Sequence, residues 1–104
     1  MEAEAHIMVP VEKMKAFSRK VFMHFGVSET DAVIASDVLA TADLRGIDSH
    51  GIARLITYHD MLVLGRINPE PTITITRESA STATVDGDNG LGLVVGPKLS
   101  LIHI

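Results

Sequence analysis

The chain has 104 residues, a length that bounds it to one domain at most. Hydrophobic residues make up 46% and charged ones 21%, a globular and not a disordered composition. A formal net charge of −4, with three Phe, one Tyr and no Trp, excludes the basic, aromatic-studded face of a nucleic-acid binder, and the absence of cysteine excludes disulfides and thiolate metal sites.

At the start, Met1 to Pro10 carries Glu2 and Glu4 and lacks the basic-then-apolar order of a signal peptide. No stretch approaches the roughly 18 apolar residues of a membrane span. With no cysteine present, a soluble cytoplasmic protein with no membrane or nucleic-acid partner is predicted.

Three helices and then a short β segment follow in chain order. Pro10 opens the first helix, about 10–25, where a missing N–H does no harm. Val11, Met14, Phe17, Val21 and Phe25 recur at helical spacing and predict its buried stripe. Gly26 follows as a C-terminal cap. Ser28, with Asp31 three positions on, resembles a capping box and opens the second helix, about 29–45. Its predicted stripe is Ile34, Val38 and Ala42, and Gly46 ends it. Asp48 or Ser49 caps a third helix, about 49–64, before Gly65.

Asn68-Pro69-Glu70-Pro71 is stiff and extended and cannot continue a helix. Residues of about 72–77 alternate polar and apolar, the period of a half-buried strand, and about 81–86 read as its antiparallel partner. Asp86-Gly87-Asp88-Asn89-Gly90 is a turn by composition. Gly90 to Ile104 starts like a helix, meets Pro97 and ends in Leu99-Ser100-Leu101-Ile102-His103-Ile104, an apolar sextet without cap or polar tail. The sextet resembles the translation of a common sequencing-adaptor read. Residues 99–104 are therefore expected to be a non-native tail, and the chain to be cut short.

The candidate chemistry lies at the third helix. With Ser49 as N-cap, His50 is its first residue, and His50, Arg54 and Tyr58 share one ridge at four-residue steps. A helix N-terminus favours an anion, and Arg54 offers a planar fork that pairs bidentately with a carboxylate. The same field disfavours imidazolium, so His50 tends to its neutral form unless a carboxylate opposes this. Such a histidine can pass a proton to or from a carbinol oxygen, with Ser49 orienting the ring or the substrate. Gly46 and Gly51 bracket the segment and allow close approach. The spacing alone admits a second reading, in which Ser49 is only a cap, Arg54 is solvated, and the chain is a small helical interaction module. Of the other histidines, His24 ends the first helix, where a cation suits the dipole, and His59 stands nine residues from His50.

Other motifs fail on spacing. Gly90-Leu91-Gly92 to Gly96 is one residue too long for a dinucleotide loop, and no complete βαβ unit surrounds it. Asp86-Gly87-Asp88 begins like a calcium loop whose twelfth position would be Pro97. No two histidines stand at i, i+3 or i, i+4, so no metal site is predicted. Ser49 and His50 are adjacent, an order that rarely lets one side chain deprotonate the other, which argues against a serine hydrolase.

The string Leu44-Arg45-Gly46-Ile47-Asp48-Ser49-His50-Gly51-Ile52-Ala53-Arg54 carries a specific resemblance. With Tyr58, Gly65-Arg66-Ile67-Asn68-Pro69 and Val85-Asp86-Gly87-Asp88-Asn89-Gly90-Leu91-Gly92, it closely resembles the malate/L-lactate dehydrogenase family of the non-Rossmann type. Relatives of that family include ureidoglycolate and sulfolactate dehydrogenases and piperideine-2-carboxylate reductases. The resemblance runs from about Val9 to Lys98. It implies a two-domain oxidoreductase that uses NAD or NADP on 2-hydroxy or 2-keto acids, or on cyclic imino acids, and works as a homodimer. By matching position, Ser49 and His50 are implied as active-site residues and Arg54 as a contact to a small carboxylate substrate. The family's larger domain, with most cofactor contacts and a further catalytic histidine, is expected downstream of this chain's end. Leu93 stands where the family usually has Gln, and no cofactor-binding residue is named here. The implied fold is α+β: a helical N-terminal part and a short antiparallel β pair, truncated before the cofactor domain and inactive alone.

Overall fold

The computed structural model describes residues 8–102. Glu2 and Glu4, and His103 and Ile104 of the apolar sextet, lie outside the described residues. The class is α+β: α1 (Val11–His24), α2 (Glu29–Leu44), two 3-10 turns (Asp48–His50 and Ile52–Arg54), α3 (Leu55–Val63), β1 (Thr74–Glu78), β2 (Ala83–Asp86) and α4 (Gly92–Ile102). Among the described residues no helix is long and apolar enough to cross a membrane.

Local chemistry sets the helix ends. Ser28 caps α2, its Oγ accepting the Asp31 N–H at 3.2 Å. The Asp31 carboxylate does not close a capping box but pairs with Lys98 of α4 at 2.7 Å, tying the two helices together. After α1 the chain turns at Gly26 (φ +95), where the Gly26 N–H donates to the Met23 carbonyl and the Val27 N–H to that of Phe22. That is a Schellman closure, which requires the left-handed backbone that glycine adopts freely. Gly65 closes α3 in the same way.

The core forms where α1 lies along α2. The predicted stripe of α1 is displaced: Phe17 is 57% exposed, whereas Phe22 and Ser18 are buried. On α2 the buried positions are Asp31, Ala32, Ala35, Ser36, Leu39 and Ala40, and the predicted Ile34, Val38 and Ala42 are only half-buried beside them. Periodicity of large apolar residues picked the flank. The small residues are what let the helices approach, and the bulky ones fill the edges. Burying a side chain such as Phe22 contributes about 2–3 kcal/mol. Leu91, just before α4, and Val94 within it complete the core, with Leu55, Leu62 and Ile67 from the α3 region.

Helix α4 runs through Pro97 to Ile102, longer than the broken start predicted. Leu93, the position of the departure from the family's Gln, packs half-buried against the core. The strands pair antiparallel as expected, with Thr74 opposite Asp86, Glu78 opposite Ala83, and an irregularity between Ile75 and Arg77. The half-buried alternation does not hold for β1, which is exposed throughout, while Ala83 and Val85 of β2 are half-buried. Two strands make a ribbon, and among the described residues nothing covers the outer side of β1. The strands also start later than predicted, because the Thr72 N–H is taken by the Asp88 carboxylate at 2.9 Å and not by a partner strand.

Candidate active site

Gly46 makes the site's corner. With φ +77 it ends α2, its N–H donating to the Asp43 carbonyl at 3.0 Å and that of Ile47 to Ala42 at 2.9 Å. The chain then makes two short 3-10 turns, closed by the N–H of His50 on Ile47 (3.0 Å) and of Arg54 on Gly51 (2.9 Å). Only at Leu55 does α3 begin. The predicted α-helix over 49–54 is thus replaced by paired 3-10 turns, and neither Asp48 nor Ser49 caps a helix: no side-chain cap bond is made at either turn or at α3. Asp43 Oδ2 accepts the Ile52 N–H at 2.9 Å, the group that a Ser49 cap at the start of that helix would have bonded.

Ser49 joins the three predicted residues. Its Oγ lies 2.8 Å from His50 Nδ1, and its carbonyl accepts from Arg54 Nε at 2.7 Å. When the neutral ring carries its proton on Nε2, the Ser49 hydroxyl donates to Nδ1; with the other tautomer, Nδ1–H donates to Oγ. Adjacency in sequence therefore does not keep the two side chains apart. Among the described residues no carboxylate is bonded to this ring and none pairs with Arg54, so the terminal guanidinium nitrogens face solvent with Nε already anchored. Ser49, His50 and Arg54 are all exposed.

The helix-field argument for His50 loses its basis. The first α-helical residue is Leu55, and the field of a helix end fades within its first turn. The ridge ending at Tyr58 does not form either. Tyr58 is half-buried, its ring 6.4 Å from that of Phe22 in the core. His59 belongs elsewhere, with Nδ1 at 3.0 Å from Asp60 Oδ1 and its ring edge-on to Phe25 at 5.2 Å. A cleft of about 410 Å³ opens beside the corner between Met14 of α1 and Asp43, Asp48 and Ile52, and none of Ser49, His50 and Arg54 lines it. The trio is an open constellation on one surface, not an enclosed pocket.

The second motif-rich stretch is a clamp. Asp88 Oδ2 accepts from Asn68 Nδ2 and from the Thr72 N–H, both at 2.9 Å, and Asn89 Nδ2 donates to the Arg66 carbonyl at 2.6 Å. Asp88 and Asn89 both have positive φ (53° and 59°), a conformation that Asp and Asn tolerate better than other side chains. A Cβ on Gly90 would meet Pro71 at 2.7 Å. The Asp86 and Asp88 carboxylates are thus turned onto the protein's own N–H groups, Asp86 Oδ1 accepting from the Asp88 N–H at 2.8 Å. These glycines form no dinucleotide cradle: Gly92 opens α4 after an antiparallel hairpin, and Gly90 is closed against proline. The described residues do not fit a nicotinamide dinucleotide by themselves.

Sequence reasoning missed Asp43 and the pairing of Asn68 with Asp88. The signal for Asp43 was Gly51, a buried glycine inside an exposed polar string, which needs a close neighbour to explain it.

Comparison with known proteins is specific. The family profile described as malate/L-lactate dehydrogenase matches residues 9–102, running past Lys98. The L-sulfolactate dehydrogenase of Methanocaldococcus jannaschii is 52% identical over 87 residues, which are 84% of this chain and 25% of that protein. A malate dehydrogenase of Pyrococcus horikoshii is 46% identical over 93 residues, 89% of this chain and 26% of the relative. The solved structure of the sulfolactate dehydrogenase from M. jannaschii superposes with a TM-score of 0.89 at 47% identity, covering 92% of this chain and 28% of that one. The chain spans about a quarter of the length of the relatives it matches.

Proposed function

Because the chain belongs to the malate/L-lactate dehydrogenase family, we propose that it is the N-terminal part of an oxidoreductase using NAD or NADP on a 2-hydroxy or 2-keto acid. It contributes Ser49, His50 and Arg54 to a cleft that the rest of the polypeptide completes. The observation that carries this reading is the triple junction at Ser49, whose Oγ meets His50 Nδ1 at 2.8 Å while its carbonyl anchors Arg54 Nε at 2.7 Å. Among the described residues Nε2 of His50 and the terminal nitrogens of Arg54 have no protein hydrogen-bond partner, which supports their availability to a substrate.

Each group has one task. Arg54 holds the substrate carboxylate through its terminal nitrogens, as a planar fork suits a planar anion. His50 takes the hydroxyl proton at Nε2 as the alcohol becomes a ketone, and returns it in the reverse direction. Ser49 fixes the ring, its Oγ accepting from Nδ1–H in the tautomer whose Nε2 is open to the proton. A nicotinamide held by the remainder of the polypeptide would supply the hydride acceptor or donor for the carbon next to the carboxylate. Since the described residues do not fit that cofactor, its binding belongs to the remainder of the polypeptide. The segment alone is then inactive, and the complete enzyme is a cytoplasmic homodimer.

The deciding experiment is steady-state kinetics on the full-length enzyme. His50→Ala should lower kcat by about 10²- to 10⁴-fold with little change in KM, the range of a lost general acid–base group. Arg54→Ala should act largely through a raised KM for the acid. Unchanged turnover in His50→Ala would mean that the ring does not handle the proton.

A further inference from the structure

The corner that carries these three residues is held from beneath by a side chain to which the mechanism above gives no part. Asp43, half-buried on the last turn of α2, accepts the Ile52 N–H through Oδ2 at 2.9 Å. Gly51 is the one buried residue of the stretch 48–54, and a Cβ built on it would collide with the same carboxylate. Asp43 therefore touches Gly51, which separates the two 3-10 turns, and Ile52, which opens the second. The turns' own bonds, His50 to Ile47 and Arg54 to Gly51, shape each turn internally but do not set one against the other. His50 belongs to the first turn and Arg54 to the second.

We propose that Asp43 is the positioning residue of the site: its carboxylate, wedged under Gly51 and bonded to Ile52, sets the placement of the His50 ring relative to the Arg54 guanidinium. The inference rests on the reading that these two groups act on one substrate. It adds a reason why the corner keeps its shape on an exposed surface. An ionised carboxylate only accepts, so it can bond the backbone N–H of Ile52 and cannot turn to a neighbouring carbonyl. Its contact with the Cα of Gly51 leaves no gap through which the turn could settle. The bonded N–H lies next to that contact, so the corner is fixed at two adjacent residues. Both lie between the proton-handling group and the carboxylate-holding group.

The test compares Asp43→Ala, Asp43→Asn and Gly51→Ala in the full-length enzyme. Misplacement by about 1 Å can cost about a hundredfold, so Asp43→Ala should lower kcat/KM by about tenfold to a hundredfold, with kcat falling and KM rising together. A role confined to folding would lower the melting temperature and leave both constants unchanged per folded molecule. Asp43→Asn keeps an acceptor oxygen and should recover the greater part of the loss. Asp43→Ala with kcat/KM within about twofold of the parent, while His50→Ala is inactive, overturns the proposal and spares the reading beneath it. Full turnover in both His50→Ala and Arg54→Ala removes that reading and the proposal with it. If Asp43→Ala does not fold, Gly51→Ala decides: it should lift the corner off the carboxylate and lose kcat/KM, and unchanged kinetics there overturns the proposal.

Discussion

In the clamp between residues 66–72 and 86–90, polar side chains turn back onto the chain, whereas in the corner 48–54 they turn away from it. Asp88 satisfies Asn68 and Thr72, and Asn89 reaches the Arg66 carbonyl, so the clamp has little left to offer a ligand. At the corner, Ser49, His50 and Arg54 bond among themselves and leave their reactive ends exposed. Both stretches carry the family's sequence signature. The difference teaches that a motif dense in Asp, Asn and Gly can serve only to lock two loops, while a neighbouring one of similar polarity leaves its side chains open to a ligand. Where the hydrogen bonds end separates the two.

The comparison breaks most readily at Asp88. Asp88→Ala removes two acceptor contacts and puts alanine at φ 53°. Two lost bonds at about 1 kcal/mol each, with about 1 kcal/mol for the left-handed backbone, predict a loss of about 3 kcal/mol. Chemical denaturation of the full-length protein measures it, and the kinetic constants of the folded enzyme should stay put. Asp88→Asn, which keeps an acceptor and tolerates that backbone, should lose far less. Altered kcat in Asp88→Ala, at unchanged stability, would place the clamp in the chemistry and erase the distinction.

Ser49→Ala should give a smaller effect of the opposite kind. The hydroxyl that meets Nδ1 disappears, but the Ser49 carbonyl that anchors Arg54 remains. Loss of one orienting bond worth about 1.4 kcal/mol corresponds to about tenfold in kcat, with KM for the acid and the denaturation midpoint both unmoved. A stability loss in place of the rate loss would mean that Ser49 serves the fold, as the clamp residues do.

How far these regions could be read from sequence depends on the range of the interactions that make them. The glycine stops at 26, 46 and 65 are local, and all three adopt positive φ where the pattern put them. The Ser28 cap is local too and forms as expected. The start of α3 is not local. A serine before an apolar run reads as a cap, but Asp43 withdraws the Ile52 N–H from nine residues away. The clamp spans twenty residues between Asn68 and Asp88, so composition could name a turn at 86–90 and not what the turn holds. The core face of α2 was hidden for another reason: its packing depends on Ala and Ser, and a hydrophobic stripe counts Ile34 and Val38 first. At the candidate site, residue types and order, with the family resemblance, brought out Ser49, His50 and Arg54. Their mutual contacts follow from paired 3-10 turns, a backbone for which single-sequence patterns carry no periodic signal.

The smallest predicted effect concerns a histidine that is exposed like His50 but set in different surroundings. His59 is exposed, bonded to Asp60 at 3.0 Å and edge-on to Phe25. Its partners are one carboxylate at the surface and one half-buried ring, and among the described residues no guanidinium is joined to it as Arg54 is joined to Ser49. Exposed ion pairs contribute about 0–1 kcal/mol, and a surface substitution of this kind stays within about 0.5 kcal/mol. His59→Gln should therefore leave both the denaturation midpoint and kcat/KM near the parent values in the same assays that separate Asp88 from Ser49. A rate loss at His59 comparable to that of His50→Ala would move the proton-handling group onto α3. The corner's triple junction would then be structure, and its contrast with the clamp would vanish.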